Sequence, residues 1–568
     1  MAEGLTTYLN FGSLYTAYGD WKSSFMGLDS GKSALREDRE LGIIAGRIPH
    51  YPSIEGCTGL ESLIITCVRD VCKQSGVRMD DASTQMLISS TKGNVELLAG
   101  HCARIEDIPE GAFLGAMAEK VAGMLGCARR PLLLSNACIS GASAFVVARR
   151  LILAGKCKRV VIVGCDLLCE FISSGFASFK SLSSSPCRPY DAARDGLNLG
   201  EACAAVLMTS LRSEAGKNAV VMEGGFVSDD ANHISGPSRT GEELATAIRR
   251  AMEESGVCSA DIGFVNTHGT ATAYNDEMES KAVSLAGLSD KPLNSIKGYI
   301  GHTLGASGIV DLLVCAEELR RGWIYPTAGF EKPGVSCRIR VSADRQDFTT
   351  GRCVKTASGF GGCNVAVVLA LEDEHKKIAS LTHLYDEKST GIDNTGIAVS
   401  DGELLVHEGE GFEEWIREEY HGLGEAYPKF YKMSDLDKAA YVACGKLLAG
   451  RNLCEECRAE DIALVLANRS SSLDADLHHQ RNIESADGAS PAVFVYTLPN
   501  VAAGELCIRY GFKGENSFFV QESDDAFCEE YARLLLERGY AKKVIWGWCE
   551  QLGQNCSVRL HLSESRPL

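Results

Sequence analysis

Two short apolar runs, Pro131-Leu132-Leu133-Leu134 and Arg159-Val160-Val161-Ile162-Val163-Gly164, bracket a stretch of helical length, 141–154, that begins in small residues. Runs of this length without polar alternation suit strands buried on both faces, and such strands are covered by helices on either side. The unit reads as strand, helix, strand, which commits the chain to an α/β sheet. The alternation continues, with strands predicted at 204–208, 220–226, 262–266 and 365–371 and helices at 241–255, 276–286 and 308–321. At 568 residues the chain exceeds one ordinary core, so two to four domains are expected.

Composition shifts after residue 372. Glu372-Asp373-Glu374-His375-Lys376-Lys377 is charged, and 385–410 is rich in Asp, Glu, Gly and Ser, as a connector with a small hairpin would be. The block beyond contains an internal repeat. Ala148 to Ile162 aligns without a gap to Ala532 to Trp546, and His50-Tyr51-Pro52 finds Ala426-Tyr427-Pro428 at a similar offset. The division is therefore 1–215 and 216–372 for two halves of one unit, 373–425 for a connector, and 426–568 for a second copy of the first half.

Three segments end in a reactive side chain beside small residues: Ser135 to Gly141 with Cys138, Asn266 to Thr270 with His268, and Lys297 to Thr303 with His302. One thiol and two imidazoles suit acyl-thioester chemistry. Most of the 23 cysteines should be reduced, buried small hydrophobes. Cys138 stands apart because it sits where a strand gives way to a helix, whose N-terminus lowers a thiol pKa. His268 alone would read as a satisfied core residue. Its neighbours Thr270 and Thr272, two apart on one face of an extended segment, suit the amides of a thin linear group. Asp276 then opens a helix, with a cap as its plain role.

The repeat offers no second nucleophile. Counting back from Gly539 sets Cys138 opposite Glu522, and counting forward from Gly511 sets it opposite Ser523. Neither is a thiol, and no counterpart of the histidine segments follows, so the copy reads as catalytically silent.

The net charge of −18 argues against a nucleic-acid surface. The short basic clusters Arg129-Arg130, Arg149-Arg150, Lys156 to Arg159 and Arg320-Arg321 read as solvated ends rather than a patch for an acidic partner. No run reaches the ~20 apolar residues of a membrane span. The start Met1-Ala2-Glu3-Gly4-Leu5 lacks a signal-peptide pattern, so a cytoplasmic protein is expected. Cys454-Glu455-Glu456-Cys457 has metal-like spacing but no second pair, and no metal is expected.

Taken together, Asn136-Ala137-Cys138, Arg188-Pro189-Tyr190-Asp191 with Arg194-Asp195-Gly196, His268 to Asp276, Lys297 with Gly301 to Gly308, and Gly359-Phe360-Gly361-Gly362-Cys363-Asn364 resemble the β-ketoacyl synthase family, in its order, across 5–372. Two histidines resemble its elongating branch. The resemblance implies the thiolase fold, an α/β arrangement of five layers in two similar halves, with the C-terminal block as an extra α/β domain like a partial, inactive N-terminal half. It implies a homodimer, or a heterodimer with another synthase-like subunit, joined near the nucleophile. It implies decarboxylative Claisen condensation, in which Cys138 takes an acyl group from the phosphopantetheine of an acyl carrier protein and a malonyl unit on a second carrier attacks it. No cofactor would be bound by the enzyme itself.

The same resemblance gives roles to the other positions. His268 and His302 supply N–H donors, as do the backbones of Cys138 and Phe360. Lys297 orients His302 and pairs with Asp311, where the family usually has glutamate, so a water or a backbone shift is expected to complete that pair. Thr270 and Thr272 hold the pantetheine arm, and Phe360 is a gate between nucleophile and acyl pocket, freed by Gly361-Gly362. The alternatives are a thiolase-fold acyltransferase that makes no carbon–carbon bond and a non-catalytic chain-length partner. A half copy lacks a second half and is not expected to replace a subunit; it reads as a structural or carrier-docking module, or as a stabilising remnant.

Overall fold

The computed structural model describes residues 5–101, 104–375, 396–400, 402–485, 488–522 and 526–566. The first sheet comprises β1 (Tyr8–Tyr15), β2 (Thr84–Ser89), β3 (Leu132–Leu134), β4 (Arg159–Asp166) and β5 (Ala202–Thr209). Their order is β3-β2-β4-β5-β1, parallel at the β3 end and antiparallel at the β1 end. The second sheet, of β6 (Val220–Asp229), β7 (Phe264–Asn266), β8 (Pro292–Asn294), β9 (Arg352–Ser358) and β10 (Cys363–Leu371), has the order β8-β7-β9-β10-β6. Counted along the chain, both read third, second, fourth, fifth, first.

Helices fill the layers around these sheets. The helices α1 (Gly59–Ser75) and α2 (Leu114–Leu125) cover the outer face of the first sheet, α3 (Ser140–Leu153) packs between the two, and α4 (Glu242–Glu254) and α5 (Ala273–Leu285) lie outside the second. With α6 (Ser307–Arg321) beside α3, this makes the five layers that the family resemblance implies. α1 starts at a capping box in which Thr58 accepts from Glu61 N–H and Glu61 accepts from Thr58 N–H, and it ends at left-handed Gly76. Glycine lets α3 and α6 touch. A Cβ on Gly308 would lie 2.2 Å from the Ala142 nitrogen, so no other residue fits there.

The C-terminal block repeats the strand order once more. Its strands are β11 (Gly396–Val399) and β12 (Glu403–His407), then β13 (Ile462–Asn468), β14 (Asn516–Val520), β15 (Lys543–Leu552) and β16 (Asn555–Arg566). They lie as β14-β13-β15-β16, with β11 and β12 both paired to β16. The connector expected over 373–425 is thus shorter than its composition implied. The segments β11 and β12 together take the place of the first strand of this sheet, α7 (Phe412–Gly422) packs beside them, and both pair with β16 instead of forming a hairpin. Only Leu405 of β12 is buried while Leu404 and Val406 are exposed, so a half-solvated edge strand resembles linker in composition. Residues 376–395 lie outside the described residues.

This block joins the synthase part through the sheet. β14 pairs antiparallel with β3, Phe519 opposite Leu134 and Val520 opposite Leu133. Leu134 pairs within its own sheet with Ser89, and Phe519 with Ala467. In the register set by aligning Arg159 with Lys543, these are equivalent places, so each strand faces its own counterpart across a local two-fold axis. The block occupies the strand-and-helix region where a second subunit was expected. Hydrogen bonding needs only a matching edge strand.

Buried ion pairs cross the same seam. Lys92 Nζ meets Asp476 Oδ1 at 2.6 Å, and Arg150 pairs with Glu515 and reaches Tyr531 Oη at 2.8 Å. Other basic clusters are also used internally: Lys156 pairs with Glu530, Arg159 with Glu214 and Asp81, and Arg321 with Glu317. Among the described residues no single helix is long and apolar enough to cross a membrane.

Candidate active site

The nucleophile candidate sits where the sequence suggests. Cys138 lies in a single turn, Ala137–Ile139, between β3 and α3. Ala137 takes a φ of +46°, a left-handed conformation that costs an L-residue roughly 1–2 kcal/mol and turns the chain off the strand end. His268 follows β7 and is held from behind, because Glu279 accepts the backbone N–H of His268 at 2.8 Å and of Gly269 at 2.7 Å. His302 follows Gly301, whose φ is +79° and whose Cβ would strike the Leu199 carbonyl at 2.5 Å. Its N–H donates to Asn198 O at 2.7 Å.

Three elements thus converge on one point. Side-chain ligand atoms of Cys138, His268 and His302 all lie within 4.8 Å of one another, and the imidazoles are perpendicular with centroids 4.9 Å apart. His268 Nδ1 and both ring nitrogens of His302 are buried without a hydrogen-bond partner among the described residues. Burial lowers the His302 pKa to about 3, with Lys297 adding to the effect, and takes His268 well below its usual value with help from His302. Both rings are therefore neutral near pH 7, each with one N–H to donate.

Cys138 departs from expectation in one respect. Burial pushes its thiol up to about 12, against the pull of Lys297 and of hydrogen bonds from the Phe360 and Cys138 backbones. The helix end does not outweigh desolvation. The resting group is a thiol and needs a base to become a nucleophile.

Lys297 reaches Asp311 directly at 2.7 Å, so neither a water nor a backbone shift is needed to complete the pair. A second ammonium, Lys355 on β9, reaches the same Asp311 oxygen at 2.7 Å and donates to Thr267 O at 3.1 Å. Burial would raise the Asp311 carboxyl, but the two lysines hold it below its ordinary value. A thiol with two imidazoles could also ligate a metal ion, but two ammonium groups on one carboxylate leave surplus positive charge beside it, which opposes a divalent cation.

The supporting residues are placed as follows. Thr270 and Thr272 share a hydrogen bond of 3.0 Å, Thr270 buried and Thr272 half-buried. Asp276 is not the cap of α5, which starts earlier; it is fully buried in the first turn, where its carboxylate accepts the Tyr190 N–H at 2.7 Å and the Ala271 N–H at 3.2 Å. Burial raises its pKa to about 7. It ties the Arg188-to-Asp191 loop to the threonine segment. Phe360 is half-buried and packs on Phe179 and Phe176, with ring centroids at 5.3 and 6.1 Å.

The cavity beside Cys138 has Ile172, Phe176 and Phe360 on the synthase side and Phe494 and Leu498 of the C-terminal block opposite, with Lys92 on its wall. A cavity of about 490 Å³ lies elsewhere, beside β1 and Trp21, and contains none of the three reactive residues. Sequence reasoning missed Glu279, Lys355 and this far wall. It also missed Asp166, whose buried carboxylate takes Ser90 Oγ at 2.7 Å and the N–H of Gly305 at 2.7 Å, fixing the loop after His302 against the end of β4.

Comparison with known proteins agrees with this geometry. The model of the β-ketoacyl synthase N-terminal domain matches residues 63–214, and that of the C-terminal domain matches 218–331. The tetracenomycin polyketide synthase ketoacyl synthase alpha subunit of Streptomyces glaucescens is 28% identical over 371 residues, 58% of this chain and 87% of that protein. The 3-oxoacyl-[acyl-carrier-protein] synthase 2 of Rhizobium meliloti is 34% identical over 251 residues, 41% of this chain and 59% of that one. Among solved structures, the PfaC keto synthase–chain length factor is 12% identical with a TM-score of 0.77, covering 98% of this chain and 78% of that chain. That fold likeness includes the C-terminal block.

Proposed function

Because the chain belongs to the β-ketoacyl synthase family of acyltransferases, we propose that it condenses an acyl group held on Cys138 with a malonyl unit carried by an acyl carrier protein, in fatty-acid or polyketide-type synthesis. The observation that carries this reading is the pair of neutral imidazoles facing one thiol within 4.8 Å, with His268 Nδ1 and both ring nitrogens of His302 unpartnered among the described residues. In the first step an imidazole takes the Cys138 proton, the sulfur attacks the acyl thioester, and the departing pantetheine thiol recovers the proton. The backbone N–H groups of Cys138 and Phe360 receive the oxyanion.

In the second step Thr270 and Thr272 hold the arm of the malonyl carrier. Ring N–H groups of His268 and His302 donate to its thioester carbonyl and stabilise the enolate as carbon dioxide leaves. The enolate carbon attacks the acyl-Cys138 carbonyl, the sulfur departs as a thiolate, and a proton taken up from water restores the thiol. Lys297 and Lys355 hold a positive field behind the rings, which adds to burial in keeping them neutral and favours the enolate charge, while Asp311 anchors both lysines. The C-terminal block, read as a half copy of the synthase, supplies Phe494 and Leu498 as the far wall of the acyl cavity.

Acyl- and malonyl-carrier proteins incubated with the enzyme should yield the β-keto product and carbon dioxide by mass spectrometry. Acyl transfer or hydrolysis with no new carbon–carbon bond would favour the acyltransferase alternative instead.

A further inference from the structure

The gate loop is fastened from outside the synthase part. The helix α8 (Asn500–Tyr510) of the C-terminal block begins at Asn500, which is fully buried and whose Nδ2 donates to the Phe360 carbonyl oxygen at 2.8 Å. Cys363 Sγ is also 3.3 Å from that oxygen. One turn along α8, Gly504 presses on the loop, since a Cβ there would lie 2.4 Å from Gly361 O. A Cβ on Gly361 would in turn lie 2.5 Å from Asn500 Nδ2.

The rest of the loop hangs on the synthase. Gly361 N–H donates to Ile234 O at 2.6 Å, and Asp230 N–H donates to Gly362 O at 2.7 Å. Gly361 and Gly362 have φ of +90° and +82°, so this is the segment able to change shape. A swing of the Phe360 ring off Phe176 and Phe179 that carries its backbone along turns the peptide after it and draws its carbonyl away from Asn500. Asn500 also leaves its own Oδ1 buried and unpartnered. A side chain kept only for packing would not carry that cost.

We propose that Asn500 is a positioning residue that holds the Phe360 gate shut, so that the C-terminal block sets how often the acyl cavity opens. The inference rests on the reading of Phe360 as a gate. Its loss shifts the open fraction several-fold without touching the reacting atoms.

The test uses the full chain with Asn500→Leu, close in volume but without a donor, and Asn500→Ala. Alkylation of Cys138 is timed with iodoacetamide and with N-dodecyl iodoacetamide, whose tail must enter the cavity, and thermal unfolding checks folding. In both variants the long-to-short rate ratio should rise about tenfold while the short reagent changes less than twofold. Phe360→Ala is the companion, and it should raise the ratio by removing the ring. A raised ratio in Phe360→Ala with none in either Asn500 variant overturns the clamp, even if those variants melt lower. An unchanged ratio in Phe360→Ala shows that the gate reading has failed, and the clamp falls with it.

Discussion

The first and third sheets share one strand order and end their third strands differently. β3 runs into Ser135-Asn136-Ala137-Cys138, where a left-handed alanine aims a thiol into a cavity and α3 begins at once. β14 runs into Gln521-Glu522, where the carboxylate meets Arg469 at 3.0 Å and its Oε1 lies 2.5 Å from where a Cβ of Gly115 would be. The register of the two sheets favours Ser523 as the counterpart of Cys138, and that residue lies outside the described residues. A strand order can outlast its chemistry when its edge is still used. Even Asn136, two residues before the thiol, spends its side chain on this edge, donating to Asn516 O and accepting from Phe518 N–H, both at 2.7 Å.

Deleting residues 396–566 breaks the comparison most severely. It bares the edge of β3 and the apolar residues packed on the block, Phe171, Phe176 and Phe360 among them, and exposes an aggregation-prone sheet edge. The remaining protein should be insoluble or lose its cooperative melt. A soluble product with unchanged melting would show that the two sheets are independent.

Next in size is the contrast between the strand ends. Cys138→Ala should lower condensation by at least about a thousandfold with little change in melting temperature. Glu522→Ala should leave turnover within about twofold, since surface changes are mostly small. Product formation and thermal unfolding measured together decide both.

The seam can be tested through its ion pair. Asp476→Leu alone should cost about 3–5 kcal/mol in urea unfolding, and adding Lys92→Met should recover most of that loss. If the double variant stays as unstable as the single one, the pair is not what links the two parts.

The smallest effect compares two histidines by pH. Burial holds His302 at about 3 and His479 of the C-terminal block at about 4 when folded, against about 6.5 unfolded. The unfolded chain therefore takes up protons that the folded chain refuses. The stabilisation is complete above about pH 6.5 and drains as pH falls toward 3–4, by up to about 1.4 kcal/mol per unit for each ring. His302→Gln should flatten urea-derived stability between pH 7 and 4 slightly more than His479→Gln, and equal slopes for wild type and both variants would refute the assignment.

Cys138, His268 and His302 were legible because each ends an extended or apolar segment beside small residues, a local signal, whereas Lys297 was singled out only through the family resemblance. Glu279 could have been found, since it falls three residues after Asp276 and so shares its helix face. Lys355 gives no such sign. It interrupts an apolar strand, and the carboxylate it needs lies 44 residues away by numbering, on α6. The first strand of the third sheet was hidden by its half-solvated position. The seam was hidden for a different reason, because hydrogen bonds between residues 382 apart leave no periodicity in either strand.

That separation has a consequence during synthesis. Phe519, the partner of Leu134 in β3, is made 385 residues after it, which at about 5–20 residues per second is a wait of roughly 20–80 s. Throughout it the nascent chain presents a bare, apolar sheet edge of the kind that templates aggregation. A chaperone, or a second nascent chain on the same message, could reach that edge before the chain's own C-terminal part does. An edge that the same chain closes thus stays open until the ribosome has made its partner strand.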